Sequence, residues 1–132
     1  MAEKQADFFK LERQKSTSTP YILIDEEKNY MKIEGLCFNE NVIDFFIEIN
    51  DWLDKYLNTN FKLFTFDCAM EYFNSSTVKV LFNLIMKMDE ASSGENKVIL
   101  NWITVKENEI IIECGEDFRE EVINLTFNMV IN

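Results

Sequence analysis

The sequence predicts an α/β domain, a mixed sheet of about four to five strands with helices mainly on one face, and three observations point to it. FKLFTFDC, an apolar helical stretch and KVILNWITV follow one another as a βαβ unit. Residues 39–58 carry Val42, Phe45, Phe46, Ile49, Trp52, Leu53 and Tyr56 at steps of three and four, the stripe of an amphipathic helix. YILID and YMKIEG, separated by a charged turn, read as two strands of a hairpin.

With 132 residues the chain is one domain's worth, enough to bury roughly two-thirds of its unfolded surface. Its apolar content is 47%, with 12 Phe, 3 Gly and 1 Pro, which describes a packed globule. Residues 1–19 are polar and hydroxyl-rich and read as an N-terminal arm, frayed or partly ordered, with Phe8, Phe9 and Leu11 able to dock as a short helix. Residues 20–132 form the single domain.

Within that domain, Gly35 is expected to end the second hairpin strand, and Asn39 or Asn41 to cap the first helix. FKLFTFDCA is apolar on both faces, as a central strand covered on both sides would be. A second helix after Asn74 has a core stripe of Val78, Leu81, Phe82, Ile85 and Met88, which Val80, Leu84 and Met86 widen beyond one face. Ile110 to Ile112 reads equally as a strand or as a short helix broken at Gly115, because three apolar residues reveal no period. LTFNMVI reads as a closing edge strand.

Composition also narrows function. A net charge of −11 repels phosphate backbones and anionic membranes, and no Lys/Arg cluster offers a local exception. The N-terminus is too charged for a signal-peptide core, so a cytoplasmic protein is expected. Cys37, Cys68 and Cys114 lack CxxC spacing and read as buried fillers. With no histidine, Ser-His-Asp and Cys-His nucleophiles are excluded and the commonest metal ligand is missing. No phosphate-cradling glycine loop occurs, and neither a cofactor nor a metal is expected. The acidic groups Asp51 with Asp54, and Glu116 with Asp117 and Glu120, read as solvated faces of an acid-rich chain rather than as acid-base pairs.

The block YFNSSTVK is the strongest functional signal. Ser75, Ser76 and Thr77 stand where a helix begins, and such residues are first of all caps. The same place suits a regulatory phosphate, because a helix N-terminus offers free N–H groups and a favourable field to an added dianion. The apolar flank of Val80, Leu84 and Met86 reads either as helix sandwiched in the core or as a partner-binding patch, to which methionine is well adapted.

TSTPYI, GLCFNEN, EYFNSSTVKVLF, LNW and ECGEDF, in this order over residues 17–131, resemble the SiaC family of bacterial regulatory phosphoproteins. That family is similar in fold to STAS domains, the anti-sigma-factor antagonists. The resemblance implies a non-enzymatic partner switch. A serine/threonine kinase with a histidine-kinase-like ATPase fold adds phosphate and a metal-dependent protein phosphatase removes it. The unphosphorylated form binds an effector, in the characterised branch a diguanylate cyclase of cyclic-di-GMP signalling. The modified hydroxyl of the family follows the Asn of this block, which makes Ser75 its counterpart, with Ser76 and Thr77 as secondary candidates. Tyr72, Asn74, Lys79, Val80 and Leu84 are the expected partner-binding residues. Leu36 and Asn39 depart from the basic residue and proline usual in the family. Two other readings stay open: an anti-sigma-factor antagonist acting on a sigma-factor regulator, and a small enzyme built on acidic residues.

Overall fold

The computed structural model describes residues 7–132, so the first six residues of the expected arm lie outside the described residues. β1 (Lys10–Arg13), β2 (Tyr21–Asp25) and β3 (Tyr30–Cys37) form an antiparallel meander. From there helices and strands alternate. α1 (Val42–Phe45) and α2 (Ile47–Tyr56) lead to β4 (Leu63–Phe73), α3 (Ser75–Ala91) leads to β5 (Lys97–Thr104), and α4 (Glu109–Glu121) leads to β6 (Thr126–Ile131). β3 to β6 are mutually parallel, and the order across the sheet is the order along the chain.

That order explains the layering. Each parallel connection steps one strand further in the same direction, and right-handed crossovers repeated in one direction leave every helix on the same face. Along β4, Phe64, Phe66, Cys68 and Met70 are therefore buried under the helices, while Thr65, Asp67 and Ala69 on the other face are half-exposed. The expected double cover of this strand is corrected: one face packs, and the other carries a polar ladder across the sheet. Tyr30 Oη donates to Asp67 (2.7 Å), Asn101 Nδ2 donates to the other Asp67 oxygen (2.8 Å), and Asn128 Nδ2 donates to Asn101 (3.0 Å). Burial and this bond to Asp67 raise the Tyr30 pKa.

The packed face brings Ile22, Ile33, Phe66 and Trp102 from the strands against Phe46, Ile49, Leu53, Leu81 and Ile85 from the helices. An aromatic seam of Trp52, Tyr56, Phe61 and Phe64 closes one end, with Trp52 and Tyr56 stacked at 4.7 Å. Each such side chain contributes about 1.5–3 kcal/mol by leaving water.

Four local expectations change. The sheet has six strands among the described residues because KLER, within the arm read as frayed or helical, pairs with β2. Leu11 packs against the core, and four residues are too few to show a period. β3 does not stop at Gly35 but continues through a bulge there, where φ is +114°, a conformation glycine reaches without strain. The first helix is two helices, turned at Phe46 (φ −94°, ψ 1°), and neither Asn39 nor Asn41 caps it with a side chain. The 109–113 ambiguity resolves as helix, and α4 runs unbroken through Gly115. A Cβ there would stand 2.4 Å from the Trp102 indole, so glycine is what lets α4 lie this close to β5.

Candidate functional site

β4 ends at Phe73, and Asn74 turns the chain into α3 with an extended backbone (φ −85°, ψ 175°). Its Oδ1 accepts the N–H of Thr77 at 3.0 Å, so Asn74 is the cap. Thr77 supports it: its hydroxyl, fully buried, reaches Asn74 Oδ1 (2.8 Å) and the Cys37 carbonyl (3.2 Å). The same carbonyl accepts the N–H of Asn74, which seats the start of α3 on the end of β3. Burial pushes the Cys37 thiol up, and the Thr77 hydroxyl pulls it the other way.

The three hydroxyls therefore separate. Thr77 is fully buried inside the cap, with its one hydroxyl hydrogen between two acceptors, which argues against it as the secondary acceptor. Ser75 and Ser76 are exposed, at the first two helical positions, whose backbone N–H groups have no acceptor within a helix. Lys79, four residues after Ser75, is exposed and forms no ion pair among the described residues. It stands on the Ser75 and Ser76 side of the helix by the i, i+3 and i, i+4 rule.

From Ser76 an open groove of about 940 Å³ runs along the outer side of α3, past Lys79, Val80 and Met86 to Asn124, with Ile43 of α1 as its far wall. Ile43 is 71% exposed and Ile47 49%, a large apolar surface to leave in water. The loop bordering the other end is held by Asp89, whose carboxylate accepts the N–H groups of Ile123, Asn124 and Leu125. Beside the α3 start, Tyr72 (49% exposed) meets Phe38 edge to face at 6.1 Å, and Tyr72 is paired in register with the exposed Leu36.

Of the expected partner-binding residues, Lys79 and Val80 line the groove, Tyr72 lies outside it against Phe38, and Asn74 is engaged as the cap. Leu84 is a correction: it is fully buried, on the stripe shared with Leu81, Ile85 and Met88, and cannot meet a partner. The sequence did not single out the exposed Ile43 and Phe38, and it marked Leu36 only as a departure from the family pattern. Each had a signal: Ile43 stands off the apolar stripe of its own helix, and Leu36 and Phe38 continue the outward phase of Tyr30, Lys32 and Glu34 beyond Gly35. Asp54 bonds Lys87 across α2 and α3 (2.9 Å). No helix of the described residues is long and apolar enough to cross a membrane, and no metal-holding group of His, Cys, Asp or Glu occurs among them.

The model of the SiaC family of regulatory phosphoproteins matches residues 13–132, nearly the whole chain. The protein belongs to this family. Among its relatives is an uncharacterized protein of Pseudomonas aeruginosa strain UCBPP-PA14, 29% identical over 104 residues, which span 79% of this chain and 82% of the relative. The structure of SiaC of Pseudomonas aeruginosa superposes with a TM-score of 0.85 at 24% identity, over 94% of this chain and 99% of that one. A chain of the crystal structure of diguanylate cyclase SiaD in complex with its activator SiaC, also from Pseudomonas aeruginosa, matches with a TM-score of 0.85 at 26% identity, over 92% and 99%. The mixed sheet with helices on one face is thus the fold of a SiaC family member, and the role is that of a regulatory protein.

Proposed function

We propose that the chain is a single-domain, cytoplasmic phosphorylation switch without catalytic activity of its own, in which Ser75 accepts phosphate and the groove beside α3 binds the effector. One observation carries this reading: Ser75 is exposed at the first position of α3, next to Ser76, which with Lys79 lines an open, partly apolar groove. A phosphate on Ser75 adds a charge of about −1.5 to −2 to the positive end of the helix, where free N–H groups and Lys79 hold it. The Lys79 end of the groove becomes negative, and a partner seated there by Ile43 and Val80 meets a hydrated dianion instead of open backbone.

The activator SiaC of the comparison complex binds a diguanylate cyclase, which supports a diguanylate cyclase as the effector of this chain. The family resemblance supports a serine/threonine kinase with a histidine-kinase-like ATPase fold and a metal-dependent phosphatase as the opposing enzymes. Incubation with the cognate kinase and ATP, followed by mass mapping, is expected to place one phosphate on Ser75 and none in Ser75→Ala. Ser75→Glu is expected to weaken cyclase binding about tenfold with the fold unchanged. Phosphate persisting in Ser75→Ala, or equal affinities for wild type and Ser75→Glu, would overturn the reading.

A further inference from the structure

The turn between α1 and α2 leaves backbone to be satisfied. At Phe46 the N–H folds back to Val42 and Ile43, and Asn50 N–H bonds the Phe46 carbonyl. The Phe45 carbonyl accepts instead from Arg13 Nη1 of β1, at 3.0 Å. The other terminal nitrogen of Arg13 pairs with Glu48 in the first turn of α2, and the guanidinium lies over the Phe45 ring, 5.4 Å from its centroid. One planar group therefore holds the last residue of α1, by backbone and by ring, together with the first turn of α2.

The strand that delivers Arg13 is itself tied down. Arg13 is in register with Ile22 of β2, and at the other end Phe9 stacks on Trp52 of α2 (5.9 Å) while its carbonyl accepts the N–H of Glu26. The short helix thus splinted carries Ile43, the far wall of the α3 groove, and a helix of four residues has little stability of its own. We infer that Arg13 is a positioning residue for partner docking: its guanidinium splints the α1–α2 turn and so fixes where Ile43 stands beside α3. The inference rests on the groove being the docking surface. Arginine suits the position because its planar fork meets the Phe45 carbonyl and Glu48 with two separate nitrogens while its face lies over the Phe45 ring; a lysine ammonium gathers its donors at a single point of charge.

The test compares Arg13→Ala, Arg13→Lys, Ile43→Ala and the double variant Arg13→Ala/Ile43→Ala. Amide hydrogen exchange is followed over residues 42–47 and over α3, and affinity for the purified cognate diguanylate cyclase is measured by calorimetry. Both Arg13 variants are expected to speed exchange in 42–47 about tenfold while α3 stays protected, because opening there is local. Both should weaken cyclase binding about fivefold, the net size of one ordinary hydrogen bond, because the lost bond acts on the position of Ile43 and not on the partner itself. The double variant should bind no worse than Ile43→Ala alone, which a general loss of stability would not produce. Unchanged exchange in 42–47, additive losses in the double variant, or rescue by Arg13→Lys would overturn the positioning role while leaving the groove reading intact. Wild-type affinity in Ile43→Ala would overturn the groove reading, and the positioning role with it.

Discussion

The inner face of α3 carries Thr77, Leu81, Leu84, Ile85 and Met88, each fully buried, whereas the outer face carries Ser76, Lys79, Val80 and Met86 along an open groove. Both faces include apolar residues and both include a hydroxyl, so residue type does not separate them. What separates them is phase around the helix axis, and the phase assigns each its work. The inner hydroxyl closes the cap and the outer ones stay in water; the inner aliphatics hold α3 to the sheet and the outer ones line a surface.

The largest effect expected from this division lies on the inner face. Leu84→Ala removes a fully buried side chain and should cost about 2–5 kcal/mol of stability in urea unfolding, as such truncations do. A cost under about 0.5 kcal/mol, the range of surface substitutions, would mean that Leu84 belongs to the outer face after all.

Leu84 is also where the sequence was hardest to read. Positions 78 to 88 are apolar nearly all round, so a stripe of Val78, Leu81, Phe82, Ile85 and Met88 fits the helical period as well as the observed set does. The observed set keeps Leu81, Ile85 and Met88 and is rotated from the expected one by about half a residue step, with Val78 and Phe82 half-buried at its margin. That one rotation accounts for the burial of both Leu84 and Thr77, since Thr77 stands two turns before Leu84 and moves inward with it. The alternation of strands and helices, the hairpin, the hydroxyl block and the Asn74 position are all local patterns and were legible. β1, the turn at Phe46 and the bulge at Gly35 depend on tertiary pairing, and no period in four to six residues encodes that.

A smaller effect is expected at the cap. Thr77→Val keeps the shape of the buried side chain and loses only the hydroxyl. Asn74 Oδ1 still accepts the N–H of residue 77, and the Cys37 carbonyl still accepts that of Asn74, so neither acceptor is stranded. The cost should be about 1 kcal/mol, the net value of one hydrogen bond. Phosphate incorporation by the cognate kinase should not change if, as proposed, Ser75 and not the inner hydroxyl is the acceptor. A fall in phosphorylation with stability unaltered would break the division between the hydroxyls.

The smallest expected effect on stability is the most telling about function. Val80 is half-buried on the groove wall beside Lys79 and opposite Ile43. Val80→Asp puts a carboxylate there without disturbing the buried stripe, and unfolding free energy should stay within about 1 kcal/mol of wild type, allowing for the lost partial burial. Cyclase binding should nevertheless fall about tenfold or more, because an unpaired charge at the centre of an interface is left without water or partner. Since the new charge occupies the ground a phosphate on Ser75 would contest, adding Ser75→Glu to Val80→Asp should weaken binding by less than Ser75→Glu does alone. Two full, additive losses would mean that Ser75 and Val80 face different parts of the effector, and that the switch acts at the tip of α3 rather than along its outer face.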